Sequence, residues 1–138
     1  MTTLDPTPLI QPAEHVTVDT AHLHVVVQTL RAAYHYDGTP FRYQIVASVD
    51  FLRGLLTPSL ILGRTLVTVD AEPLWWAVHA ADELGNDRAI SPIGHLFRAV
   101  DDLQYALEQQ APRTRRGMAA ALEAECVIEV AAHTEDQP

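Results

Sequence analysis

The sequence predicts an all-α protein, a compact bundle of four to five helices in 138 residues. Three observations carry that expectation. Apolar residues recur at helical spacing through most of the chain. The periodic runs open on residues that start helices well. And one phrase occurs twice, as VTVDTAHL at 16–23 and VTVDAEPL at 67–74.

The repeated phrase reads as a helix start. Asp19 and Asp70 are N-caps, whose carboxylates accept hydrogen bonds from free backbone N–H groups of the first turn. Val18 and Leu23, then Val69 and Leu74, stand at the two positions of a hydrophobic staple. Glu72 complements the positive end of the second helix. Leu23, Val26, Val27, Leu30 and Tyr34 form one apolar face, and Leu74, Ala77, Val78, Ala81 and Leu84 the other. The expected spans are 20–36 and 71–85, ending near Asp37-Gly38 and Gly85-Asn86. The preceding Val-Thr-Val is β-branched and fits either a short strand or an extended connection, the simpler of the two.

Thr39-Pro40 and Ser91-Pro92 start the next pair, with Ser or Thr as cap and Pro at the first helical position. Phe41, Ile45, Val49, Leu52 and Leu55 mark a helix over 40–56. Ile93, Leu96, Phe97, Val100, Leu103 and Leu107 mark one over 92–110. With Pro40 set on Pro92, Ala47 meets Ala99, Asp50 meets Asp102, Phe51 meets Leu103 and Leu55 meets Leu107. Each half then reads Val-Thr-Val-Asp, helix, [Ser/Thr]-Pro, helix. An internal duplication with a pseudo-twofold axis accounts for this; so do two halves that use common start signals independently.

The remainder divides simply. Residues 1–14 carry three prolines and read as an extended arm. Residues 15–132 form a single helical domain, with Leu60 to Val69 as an apolar connector and a final helix from about Gly117. Cys126 to Val130 is β-branched enough for a strand, but helix is the preferred reading. Residues 133–138 form a frayed tail.

Composition narrows the function classes. Hydrophobic residues make up 48% and charged residues 20%, ordinary for a globular domain with its own core. The net charge of -9 repels phosphate backbones and anionic membranes. All nine cations are arginines, the usage of a GC-rich genome such as a high-GC bacterium or phage. One cysteine allows no internal disulfide. No signal peptide or membrane-length apolar run is visible, so a cytoplasmic location is expected.

Catalytic and metal signatures are weak. The sequence has no nucleophile-elbow motif, phosphate loop or zinc-binding histidine motif. His79 with Glu83, and Glu129 with His133, have the four-residue spacing that shares a helix face, but surface histidines are the simpler reading. Cys126 falls on an apolar side, where cysteine is a small hydrophobe. Asp82-Glu83 and Asp101-Asp102 are solvated acidic neighbours. No cofactor or metal is expected, and no catalytic residue is assigned.

Two features point to a partner. Trp75 and Trp76 are adjacent on a helix, so one must sit at the edge of the apolar face, and tryptophan is frequent at interfaces. Arg113, Arg115 and Arg116 form the only basic cluster. Cations there oppose the dipole of a helix begun at Pro112, so either the helix begins later or the cluster serves an anionic partner. The first expectation is therefore a non-catalytic protein–protein interaction module, self-associating or binding another protein through Trp75, Trp76, Arg113, Arg115 and Arg116. The alternative is an enzyme or ligand-binding protein with a pocket between helices using His79, His95 or Glu83. A helix-turn-helix around Gly85 to Ser91, and a DNA mimic built on Asp82, Glu83, Asp87, Asp101 and Asp102, rank lower.

Overall fold

The computed structural model describes residues 13–33, 41–85 and 94–135. The arm over 1–12, both [Ser/Thr]-Pro starts, Tyr34, Asp37-Gly38, most of the Gly85 to Ser91 turn, Asp87, Ile93 and the last three residues lie outside these. The order is β1 (His15–Asp19), α1 (Thr20–Ala33), α2 (Arg42–Ile61), β2 (Leu66–Asp70), α3 (Ala71–Gly85), α4 (Gly94–Gln110) and α5 (Pro112–Glu135). The described residues form a helical bundle with one small sheet.

The repeated phrase forms that sheet. β1 and β2 pair antiparallel, with Val16 opposite Val69, Thr17 opposite Thr68 and Val18 opposite Val67. The simpler reading of an extended connection is thus replaced by a ladder. Alternation explains it: the four valines are buried and the threonines are exposed. Thr17 and Thr68, which correspond in the two copies, meet at the centre with hydroxyls 2.8 Å apart. The ladder's outer bonds match as well. The Thr20 amide donates to the Thr65 carbonyl and the Ala71 amide to the Glu14 carbonyl. These bonds put Thr17–Thr68 at a non-hydrogen-bonded position, where side chains come closest.

The middle of β1's free edge is also satisfied. Gln110, at the end of α4, accepts the Thr17 N–H through Oε1 at 2.8 Å and donates to the Thr17 carbonyl through Nε2 at 3.0 Å. Its amide stands in for one residue of a third strand.

Each strand runs straight into a helix. Asp19 caps α1 as expected, accepting from the Ala21 amide at 2.8 Å. Asp70 faces His15 across the ladder at 3.1 Å. Thr20, Leu23, Val26, Val27 and Leu30 of α1 are buried, and so are Ala71, Leu74, Ala77, Val78 and Ala81 of α3. The same correspondence holds in the second pair. Ile45, Ser48, Val49, Leu52 and Leu56 of α2 match Leu96, Ala99, Val100, Leu103 and Leu107 of α4.

That match corrects the alignment on prolines. The buried positions keep one constant step of 51 residues, the separation of Thr17 and Thr68, so Leu56, not Leu55, corresponds to Leu107. Leu55 and Phe97, expected inside, are substantially exposed. Packing follows the same exchange: α1 lies on α4 as α3 lies on α2, and α1 also meets α3.

Two helix limits differ from expectation. α2 begins at Arg42 and runs through Pro58 to Ile61, shortening the connector. Proline usually ends a helix, yet here the last two turns bury Leu56 and Ser59. Leu62 follows, and Gly63 at φ 70° closes the end. The Gly63 amide donates to the Leu60 carbonyl, and the Arg64 amide donates to the Ser59 carbonyl across Gly63, whose left-handed conformation glycine adopts without strain. α5 begins at Pro112 rather than Gly117 and is helical through 126–130.

The corrected phase of α4 is testable in neighbouring residues. Leu96→Ala is expected to lose about 2–5 kcal/mol of stability in urea titration. Phe97→Ala should lose less than half as much. Equal losses would show that both side chains point inward.

Candidate functional site

A cleft of about 570 Å³ opens between α3, α4 and α5. α3 contributes Trp75, Val78, His79 and Asp82, spaced to share one side of a helix. This side exists because Leu74, Ala77 and Ala81 turn into the core and carry their neighbours to its rim. α4 adds Gln104, Leu107 and Glu108. α5 adds Arg115, Arg116, Ala119, Ala120 and Glu123.

Aromatic stacking orders the rim. Trp75 and His79 lie parallel, with ring centroids 5.0 Å apart and planes 6° from coplanar directions. His79 Nε2 is also 3.3 Å from Glu83 Oε1. The neighbouring tryptophans divide their roles. Trp76 is only 7% exposed and packs on Phe41 at 5.1 Å. Trp75 is partly exposed and meets Trp76 edge-on at 5.2 Å.

The basic cluster divides too. Arg115 and Arg116 line the cleft, whereas Arg113 is not among its lining residues. All three lie in the opening turns of α5, where their charge opposes the helix dipole. Glu14 offsets this. Its Oε1 accepts the Thr114 amide at 2.6 Å and the Thr114 hydroxyl at 2.7 Å. A carboxylate from the end of the arm thus caps a helix 100 residues away. The Thr114 hydroxyl is the main cause that lowers the Glu14 pKa. Its amide and the nearby Arg113 charge add to this, against an upward push from desolvation.

The lining mixes three acids with two arginines over an apolar floor of Val78, Leu107, Ala119 and Ala120. Guanidinium groups pair with carboxylates in a planar fork, and the Trp75–His79 stack gives a flat aromatic wall. The arrangement suits recognition of a group with both acidic and apolar parts. Among the described residues, no serine, threonine or cysteine lines the cleft.

Other residues named from the sequence lie apart. His95 is exposed at the start of α4 and does not line the cleft. His22 Nδ1 sits 3.0 Å from Asp102 Oδ2, tying α1 to α4. Among the described residues, no three His, Cys, Asp or Glu side chains gather as a metal site. The side chains of Cys126, Glu129 and His133 lie outside the described residues. No described helix is long and apolar enough to cross a membrane.

Glu14, Gln104 and Gln110 were not anticipated. Their roles depend on partners far along the chain, and an isolated Glu or Gln carries no local signal of them. Comparison with family models, curated proteins and solved structures finds no match.

The Glu14 cap sets an acid dependence. Because its pKa is lowered on folding, its contribution is complete above the ordinary carboxylate pKa and fades as pH falls through the lowered folded value. Glu14→Gln is therefore expected to be less stable than the parent at pH 7, with the gap closing on acidification. Urea midpoints measured from pH 7 to pH 2 check this; a constant gap would remove the carboxylate's charge from the explanation.

Proposed function

We propose that the protein is a non-catalytic interaction module that holds a partner segment in the cleft between α3, α4 and α5. One observation carries the reading. Trp75, Arg115 and Arg116, singled out separately in sequence, line the same cleft. The partner segment presents a carboxylate to the arginines and an apolar side chain to Trp75. Trp76 and Arg113 take other roles, in the core and beside the Glu14 cap. A cytoplasmic setting is part of the proposal, as is the origin of the 51-residue repeat in a duplication.

A second reading is a small-molecule site in the same cleft. It is favoured by the parallel Trp75–His79 stack and the Glu83 contact to His79. An aromatic wall beside titratable groups is a common plan for such pockets.

Affinity capture of the tagged full chain from a high-GC bacterial lysate, followed by mass spectrometry, separates these. The interaction reading expects one stoichiometric protein, lost with Trp75→Ala and with Arg115→Ala/Arg116→Ala. For a central anchor the loss should reach about 2 kcal/mol, or roughly thirtyfold in affinity. Arg113→Ala should retain the partner. Capture unaffected by the cleft variants would reject this surface. A stabilising metabolite extract with no protein partner would favour the small-molecule reading.

A further inference from the structure

α2 is apolar on both sides. Ile45, Val49, Leu52 and Leu56 face the core. The outward side carries Tyr43, Phe51, Leu55, Ile61 and continues to Leu62, with Tyr43 81% and Ile61 79% exposed. A helix that lines one side of a bundle ordinarily turns charged and polar residues to water; one that is apolar all round is covered on both sides.

The chain contains its own control. α4 occupies the corresponding place in the second half and buries the corresponding inward positions. Its outward side is more polar, although Phe97 and Tyr105 are exposed there. At the 51-residue step, Arg98, Asp102, Tyr105 and Gln109 stand where α2 has Ala47, Phe51, Gly54 and Pro58. Asp102 contacts His22, while Phe51 and Pro73, the matching residues, line a shallow apolar groove with Trp76. The bundle therefore does not require an apolar outer face at this helix. Something else does.

The charges on α2 say what fits it. Apart from Arg42 at its first position, which lies over the Tyr43 ring, the only charged residues of α2 are Asp50 and Arg53. Both are exposed, on one edge of the apolar face and on either side of the helix midpoint. Neither takes part in an ion pair among the described residues. Place a second α2 antiparallel on the first, with a twofold axis at the midpoint. Residue 50 of each copy then lies opposite residue 53 of the other, on the same edge. Asp50 meets Arg53 twice. Gly54, beside the midpoint, leaves open space where a side chain would be, so the two backbones can approach.

We propose that α2 is the interface of a symmetric homodimer, two α2 helices packed antiparallel with Asp50 of each copy paired to Arg53 of the other. The contact is isologous, closing at two copies. It lies on α2 and the adjoining Trp76 groove, away from the Trp75 cleft, and stands independently of the function proposed there.

Charge reversal tests it on the full chain. Sedimentation analysis over a range of concentrations should show a dimer for the parent protein. Asp50→Arg or Arg53→Asp alone places like charges together and should raise the dissociation constant about tenfold or more. The double variant Asp50→Arg/Arg53→Asp restores both pairs and should return within about threefold of the parent, which also shows that the reversals leave folding intact. Phe51→Ser should weaken the dimer, and Trp75→Ala should leave it unchanged. A monomer at every concentration overturns the proposal, as does a dimer that ignores the α2 variants. Binding of the face to lipid vesicles or to another protein, with no self-association, overturns it too.

Discussion

The meeting of Thr17 with Thr68 is the constraint on which the fold turns. It joins segments with a whole helical pair between them, so its entropic cost is set by closing a long loop. A two-stranded sheet is marginal by itself. It persists here because its valine face is roofed by helices. In return it fixes where those helices begin. β1 ends at Asp19 and α1 starts at Thr20; β2 ends at Asp70 and α3 starts at Ala71. With no loop between strand and helix, antiparallel strands send α1 and α3 out from opposite ends of the ladder. α2 and α4 then close the bundle by crossing to the other half.

The halves agree inside and disagree outside. Their buried positions keep a common step, because both halves fill one shared core. Their outer faces have no such obligation. α5 packs on α3 and α4 and has no counterpart in the first half, and that addition creates the cleft. Where Trp75 stands at its rim, the first half has His24, whose Nδ1 is buried with no hydrogen-bond partner among the described residues. The outer face of α2 is a second departure. The proposed functional surfaces therefore lie where the repeat is broken.

Much of the bundle was legible because helix signals are local. Asp19 as a cap, the stripes through Leu23 and Leu74, and the end near Gly85 depend on residues within a few turns. Errors arose where distant partners decide. Val-Thr-Val is equally at home in a loop, and only the other copy makes it a strand. The start of α5 was displaced because its three arginines oppose the dipole, while the carboxylate that offsets them belongs to Glu14. The span of 40–56 ended α2 too early, because the burial of Leu56 and Ser59 and the Gly63 closure carry the helix past Pro58. Pairing Pro40 with Pro92 shifted the repeat by one residue, because prolines mark connections whereas buried side chains mark the axis. At the site, Trp75, Arg115 and Arg116 were visible as residue types. Their convergence on one cleft was not, since it requires the packing of α5 on α3.

The Gln110 amide on Thr17 covers an edge to which other chains could add. A short β-branched strand with a bare edge is a template onto which other chains add, one hydrogen-bonded layer after another. Gln110 occupies both backbone groups at the middle of β1's outer edge. An incoming strand must first displace a side chain tethered to a packed helix, and until then finds no uninterrupted row of donors and acceptors. One glutamine, by imitating a single residue of sheet, stands in the way of strand addition at the middle of that edge.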